Sequence, residues 1–575
     1  MKRISLFILI CIFNTALFAQ GFSSLQQRKL NNALTAISNL YVDSINDKKL
    51  VESALTAILK DLDPHSVYIP KEEVERVNEP LEGSFEGVGI QFQLLDDTLF
   101  VVQTISGCPA AKVGVLPGDR IIYIGTELIA GVKMQNSDIM KRLRGQKDTE
   151  VTVRIRRGGN PGLIDFKIIR DKIPLYSVDA TYMIGKEIGY IKINNFGAST
   201  VEEFQKAFNA LHKKGMKHLI LSLQGNGGGY LNAAIQLADE FLSKDRLIVY
   251  TQGLNQPKTV ANSTSIGRFE TGKLIVLVDE YSASASEIVS GALQDWDRAI
   301  IVGRRSFGKG LVQRQFPLID GSMMRLTTAR YYTPTGRCIQ KSYKDGIDKY
   351  EHDLVNRYNK GELLHADSIH FPDSLRYQTL TLKRTVYGGG GIMPDIFVPM
   401  DTARFTNFHR KLVARGVVNK VCVQYIDKNR AELKKKYPSF DKFKKEYEVD
   451  ETLLKELLSA AENDKNNLEL EQKSTTVEFK HVDTLAADKK DKIKLDPVQL
   501  STNKPLINVE KNKTKFDSVQ YLTSKPLIKL QMKALIARDL WEMNEYYQIM
   551  DADNESLSKA IEILQTPGAY EKIIK

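Results

Sequence analysis

Apolar residues recur along this chain in two rhythms, and the changes of rhythm divide it into regions. Residues 20–82 carry Leu25, Leu30, Leu34 and Ile37, then Val51, Leu55 and Leu59, near the 3.6-residue period of a helix. The break Asp61-Leu62-Asp63-Pro64 interrupts them. From 83 to 172 the rhythm shortens. Runs such as Leu99–Val102 and Val151–Ile155, parted by Gly, Asp and Asn turns, predict a β-rich domain with one short helix at Ser137–Leu143, N-capped by Ser137. Over 173–402, strands at Ile188–Ile193, Leu219–Leu223 and Leu274–Val278 alternate with helices over 201–213 and 231–243. That alternation predicts an α/β core with a largely parallel, helix-flanked sheet.

Residues 403–462 read as helical and highly charged. Residues 463–526 are rich in Lys, Asp, Asn and Thr, the composition of a flexible linker. They include a short duplication: Lys494–Ile507 returns 21 positions on as Lys515–Ile528. It reads as a replication slip in a tolerant segment rather than a binding repeat. The helical period resumes over 527–575 with Leu530, Leu535, Ile536, Leu540 and Trp541. The role of this C-terminal extension is open between a docking arm and plain helical packing.

The first residues differ from all of these. Lys2 and Arg3 precede an apolar run, Ile4–Phe13, and Ala16-Leu17-Phe18-Ala19 offers small residues for cleavage. The run is too short to span a bilayer, so residues 1–19 predict a signal peptide and a periplasmic or otherwise extracytoplasmic mature chain. Cys11 lies inside that run. The remaining cysteines, Cys108, Cys338 and Cys422, are too widely spaced for a disulfide framework or a metal pair, and the eight histidines include no HExxH. Neither metal nor cofactor is implied. At 575 residues the chain needs several cores. Its net charge of +11 is interleaved with acidic residues, the pattern of a solvated surface rather than a nucleic-acid site. A basic surface leaves peripheral membrane association open.

Three segments carry candidate chemistry. Leu219–Leu223 runs into Gln224-Gly225-Asn226-Gly227-Gly228-Gly229 and then a helix, which sets backbone N–H groups at the mouth of a crevice where an anion or oxyanion can bind. A plain structural turn has the same sequence. Leu274–Asp279 is followed by Tyr281–Ile288, with serines at 282, 284 and 286. A serine there is either an N-cap or a hydroxyl aimed by the turn. Ala299–Gly303 leads to Ser306-Phe307-Gly308-Lys309-Gly310. A desolvated lysine can deprotonate a serine, although a structural lysine would look the same. Gln313, four residues on, would orient the amine if the segment were helical.

Together these segments resemble the C-terminal processing, or tail-specific, serine peptidases, over about residues 30–400. The most specific match is Ser282–Ile288 with Phe307–Gly310 and Gln313. The resemblance implies a crotonase- or ClpP-like α/β core, Ser284 as nucleophile and Lys309, 25 positions later, as general base supported by Gln313. It implies oxyanion donors at Ala285 and at Gly228 or Gly229. One departure stands out: where the family turn reads Asp-Leu-Arg-Asn-Asn-Pro-Gly-Gly, this chain has Ser222 and Gln224 in place of Asp and Arg. The local salt-bridge support of the turn is therefore in question. Asp63-Pro64-His65-Ser66, Leu326–Gly336 and Gly391–Asp395 are also family-like and read as scaffold, with His65 a structural hydrogen-bonder.

The β-rich domain resembles a PDZ domain, with Gly87-Val88-Gly89-Ile90 as the loop for a C-terminal carboxylate and Ala110–Ile121 as supporting pattern. The implied partners are protein or peptide substrates with free C-termini; self-association or an adaptor is left open. Two alternatives compete. Ser306 and Lys309 form a Ser-x-x-Lys, but the companion motifs of penicillin-interacting enzymes are missing. A catalytically inactive periplasmic PDZ scaffold would be expected to lose the serine or the lysine, and both are present.

Overall fold

Six strands form the central sheet and lie in it in chain order: β1 (Val178–Ile184), β2 (Ile188–Ile193), β3 (His218–Ser222), β4 (Leu274–Val278), β5 (Ile300–Gly303) and β6 (Ile396–Phe397). Only β1 runs antiparallel to its neighbour. The strands read as continuous apolar runs because both faces are covered, as expected of a parallel sheet. Ile191, Leu221, Val276 and Ile301 pack under helices α1 (Thr200–Lys213), α2 (Leu231–Asp239) and α3 (Ala285–Asp295). The alternate residues Tyr190, Ile220, Ile275, Leu277, Ile300 and Val302 face the other way.

This computed structural model describes residues 23–158, 162–264, 267–474 and 518–574. The expected signal peptide, the body of the expected linker and the first copy of the duplication lie outside them. One unit comprises the chain up to Glu72 with Gln315–Leu326, and a second comprises Glu73–Arg314 with Thr327–Lys575. In the first, helices Ser24–Leu40 and Asp47–Leu62 are N-capped by Ser23 and Asn46. Their apolar stripe is present, yet Leu25, Leu30, Leu34 and Ile37 are exposed. The Asp63 carboxylate accepts from the N–H groups of His65 and Ser66 and from the Ser66 hydroxyl, shaping the turn into strand Val67–Ile69.

In the second unit, strands Ile90–Leu95, Thr98–Thr104, Arg120–Ile124, Glu150–Arg156 and Leu163–Ile169 make an antiparallel sheet with Ile90–Leu95 at its edge. Its short helix is Asn136–Leu143 with Gln135 as N-cap, so the expected cap Ser137 is an interior residue. The Gly87–Ile90 loop is tight. A Cβ at Gly89, where φ is +76°, would lie 2.5 Å from Cys108 Cβ.

The C-terminal region corrects the expected layout. Helices α4 (Val417–Lys436), Phe440–Glu446 and Glu451–Ser474 are followed by α5 (Ser518–Leu540), α6 (Met543–Met550) and α7 (Glu555–Gln565). The helical region expected to end at 462 runs on to Ser474, and most of the second copy of the duplication is the start of α5 rather than linker. Apolar residues of α4 and α5, such as Val421, Ile426, Ile528, Met532 and Ile536, explain this: they form a shared core. Leu557, Ala560, Ile563 and Leu564 of α7, with Tyr570, cover the second face of the central sheet. Val423 of α4 packs among Leu95, Phe100 and Val102 of the β-rich domain, Arg120 pairs with Asp427 at 2.5 Å, and Gln103 donates to the Trp541 carbonyl at 2.8 Å. Among the described residues no helix is long and apolar enough to cross a membrane.

Candidate active site

Past the end of β3 the chain turns through glycines with positive φ: Gly225 at +75°, Gly228 at +104° and Gly229 at +148°. Glycine is required at 228 by contact as well, since a Cβ there would sit 2.8 Å from Ser284 Cβ and 2.9 Å from the Ala283 carbonyl oxygen. Buried Asn226 organises the turn. Its Nδ2 donates to the Ile193 carbonyl at 3.0 Å and its Oδ1 accepts from Gly228 N–H at 2.8 Å. Its carbonyl accepts from Ala283 N–H at 3.0 Å and from the Ser286 hydroxyl at 2.9 Å.

The serine segment follows β4. Asp279 Oδ1 accepts from the N–H groups of Gly225, Tyr281 and Ser282, joining this segment to the glycine turn. The three alternating serines divide the work. Ser282 donates to the Leu223 carbonyl at 2.8 Å and Ser286 to that of Asn226, so both flanking hydroxyls anchor the segment. Ser284 stands between them, half-buried, at the mouth of α3. Its φ of +55° and ψ of −111° are strained for a residue with a Cβ, a conformation retained where surrounding structure enforces it.

The lysine segment leaves β5. Lys309 is half-buried and its Nζ donates to Gln313 Oε1 at 3.1 Å. Gln313 lies on the strand Leu311–Pro317, not on a helix, so the pairing forms without helical spacing. Two groups join this backbone to that of Ser284. The Tyr331 hydroxyl is shared between the carbonyls of Ser284 (3.1 Å) and Lys309 (2.5 Å). Glu287 Oε2 accepts from Ser284 N–H at 2.8 Å and Lys309 N–H at 2.9 Å, while Oε1 accepts from Gly308 N–H and the Ser306 hydroxyl. Burial pushes the Glu287 carboxyl up to about 7. Ser306 is fully buried and also accepts from Ile392 N–H at 2.6 Å. Its hydroxyl is spent within the scaffold, which removes the Ser-x-x-Lys alternative.

The sequence reading missed Glu287, Asn226 and Tyr331. Glu287 had a signal, because a glutamate three residues after a serine at a helix start has capping-box spacing. Asn226 is the one non-glycine between Gly225 and Gly229. Tyr331 had no local signal. Of the two unusual turn residues, Gln224 is held at its backbone and at its side chain. Ser222 is fully buried in β3. The Gln224 carbonyl accepts from Lys192 Nζ at 2.9 Å, and its Oε1 accepts from Asn554 Nδ2 at 2.8 Å.

Comparison with known proteins identifies families along the chain. Residues 187–349 match the model of peptidase family S41 and residues 87–168 that of a PDZ domain. Residues 16–73 match the activating protease CtpB N-terminal domain, and 408–484 with 506–542 match a family of unknown function. The chain is 37% identical over 316 residues to carboxy-terminal processing protease CtpB of Bacillus subtilis, covering 54% of this chain and 65% of that protein. It is 38% identical over 320 residues to the carboxy-terminal-processing protease of Bartonella bacilliformis, covering 55% and 73%. A solved photosystem II D1 C-terminal processing protease aligns at 26% identity with a TM-score of 0.31, over 55% of this chain and 90% of that one. With an S41 peptidase match over its α/β core, a PDZ match over its β-rich domain and relatives of this kind covered over most of their length, this chain belongs to the carboxy-terminal processing proteases of serine peptidase family S41.

Proposed function

We propose that this chain cleaves extracytoplasmic proteins near their C-termini, with Ser284 as nucleophile and Lys309 as general base. The observation that carries the reading is the strained Ser284, whose backbone is joined to that of Lys309 through a single oxygen of Glu287. A neutral Lys309 amine takes the Ser284 proton as Oγ attacks the scissile carbonyl, and returns it to the leaving amine. Gln313 Oε1 accepts an N–H from that amine and so directs its lone pair without adding charge. The oxyanion receives N–H groups from Ala285 and Gly229. Gly228 lines the site instead, because its N–H is already donated to Asn226. Water then releases the acyl group from Ser284, with Lys309 again as base.

The substrate tail adds as a strand beside Ile90–Leu95, its carboxylate held by the Gly87–Ile90 loop. The edge position of that strand supports this mode. The test is cleavage of an unstructured protein with an apolar C-terminus, read by intact mass. Activity should fall by about a thousandfold or more in Ser284→Ala and Lys309→Ala. Cleavage that survives Ser284→Ala would sink the reading.

A further inference from the structure

Packing limits the glycine turn unevenly: Gly228 lies tight against Ser284 and Gly229 against Phe196, while the stretch before them is open. A Cβ at Gly225 or Gly227 would meet nothing within 4 Å, so at these two positions hydrogen bonds rather than contacts set the backbone. On the turn's inner side those bonds involve the Asn226 and Asp279 side chains, Ala283 and Ser286 on the Asn226 carbonyl, and Phe196 N–H on the Gly228 carbonyl. On its outer side they come from Lys192 and Asn554, both acting on Gln224.

Asn554 is well built for that contact. It is the N-cap of α7, where its Oδ1 accepts from Leu557 N–H at 3.1 Å. The cap fixes which way the amide faces and leaves Nδ2 to donate to Gln224 Oε1 at 2.8 Å. The turn before it is anchored too, because buried Asp551 accepts from the Tyr182 hydroxyl of β1 at 2.7 Å. Lys192 Nζ, the other donor to Gln224, lies 5.2 Å from the ring centroid of Tyr547 in α6. A short stretch of the C-terminal region therefore reaches the ends of β1 and β2 and closes on the turn two residues before Asn226.

We propose that Asn554 is a positioning residue for the peptidase reaction: through Gln224 it holds the glycine turn, and with it the Gly229 N–H, in place to meet the oxyanion. This rests on the peptidase reading above. It gives the C-terminal helices a role at the site beyond covering the sheet.

Two variants test it. Asn554→Ser keeps a cap acceptor but is too short to reach Gln224, and Gln224→Met keeps length while losing the acceptor. Each should lower kcat about tenfold with KM within about twofold of wild type, since small misplacement of a catalytic group is costly. The double variant should be no worse than either single one, the mark of a shared contact. Amide exchange at residues 225–229 should quicken about tenfold in both, with α7 as protected as before. Wild-type kcat in both variants, a loss confined to KM, multiplied losses in the double variant, or unchanged exchange in the turn would each overturn the proposal. The exchange arm is repeated in a Ser284→Ala chain. A wild-type chain that cleaves nothing would then count against the peptidase reading, while exchange still decides on the Asn554 contact.

Discussion

Glu287 accepts four hydrogen bonds on one fully buried carboxylate, and each partner is a donor. Desolvation nonetheless outweighs them and lifts its pKa from 4.5 to about 7. Between those values the folded chain binds a proton that the unfolded chain has released. Its contribution to stability is therefore greatest near the lower value and is lost as pH rises through the upper one, by about 3 kcal/mol. Urea denaturation at about pH 5 and about pH 8 should show that loss in wild type and not in Glu287→Gln. The same fall in unfolding free energy between the two pH values in both chains would contradict it. The same variant turns an NH2 group towards two donors, so cleavage should slow by about tenfold to a hundredfold. The pairing of Lys309 with Gln313 was legible because both stand in one local motif. Asn554 was not, because its partner lies 330 residues away and nothing in the flanking sequence marks it.

Strands β2 and β4 fall where the apolar runs predicted, since side chains that face two covers leave an unbroken hydrophobic signal. What covers them was less readable. The resumed helical period was expected over 527–575, yet only packing on the sheet explains why α7 carries Leu557, Ile563 and Leu564 on one side. Ile563→Ala should cost about 2–5 kcal/mol in chemical denaturation, as expected for truncating a buried aliphatic residue. Lys559→Ala, on the wet side of the same helix, should stay within about 0.5 kcal/mol. Gln313 shows the converse error. Spacing by four suggested a helix, but a strand supplies the contact because a long lysine side chain reaches its partner without help from the backbone period.

Across the molecule, the C-terminal helices hold the β-rich domain through Val423, Asp427 and Trp541 and the central sheet through α7. Val423→Asp would set a carboxylate among Leu95, Phe100 and Val102, and burying an unpaired charge is strongly unfavourable. Calorimetry should then resolve the β-rich domain as a separate, earlier transition; an unchanged melting profile would argue that the domain is held otherwise. The long reach of this C-terminal cover also sets an order of events in time. Leu274 and Tyr570 bond across 296 residues, and Gln224 and Asn554 across 330. A ribosome delivers the strands and the serine well before the helices that roof them. The glycine turn is thus clasped among the last steps of synthesis, and a nascent or truncated copy carries Ser284 without the Asn554 contact. Under the peptidase reading, the ability to cut arrives only with the completed chain.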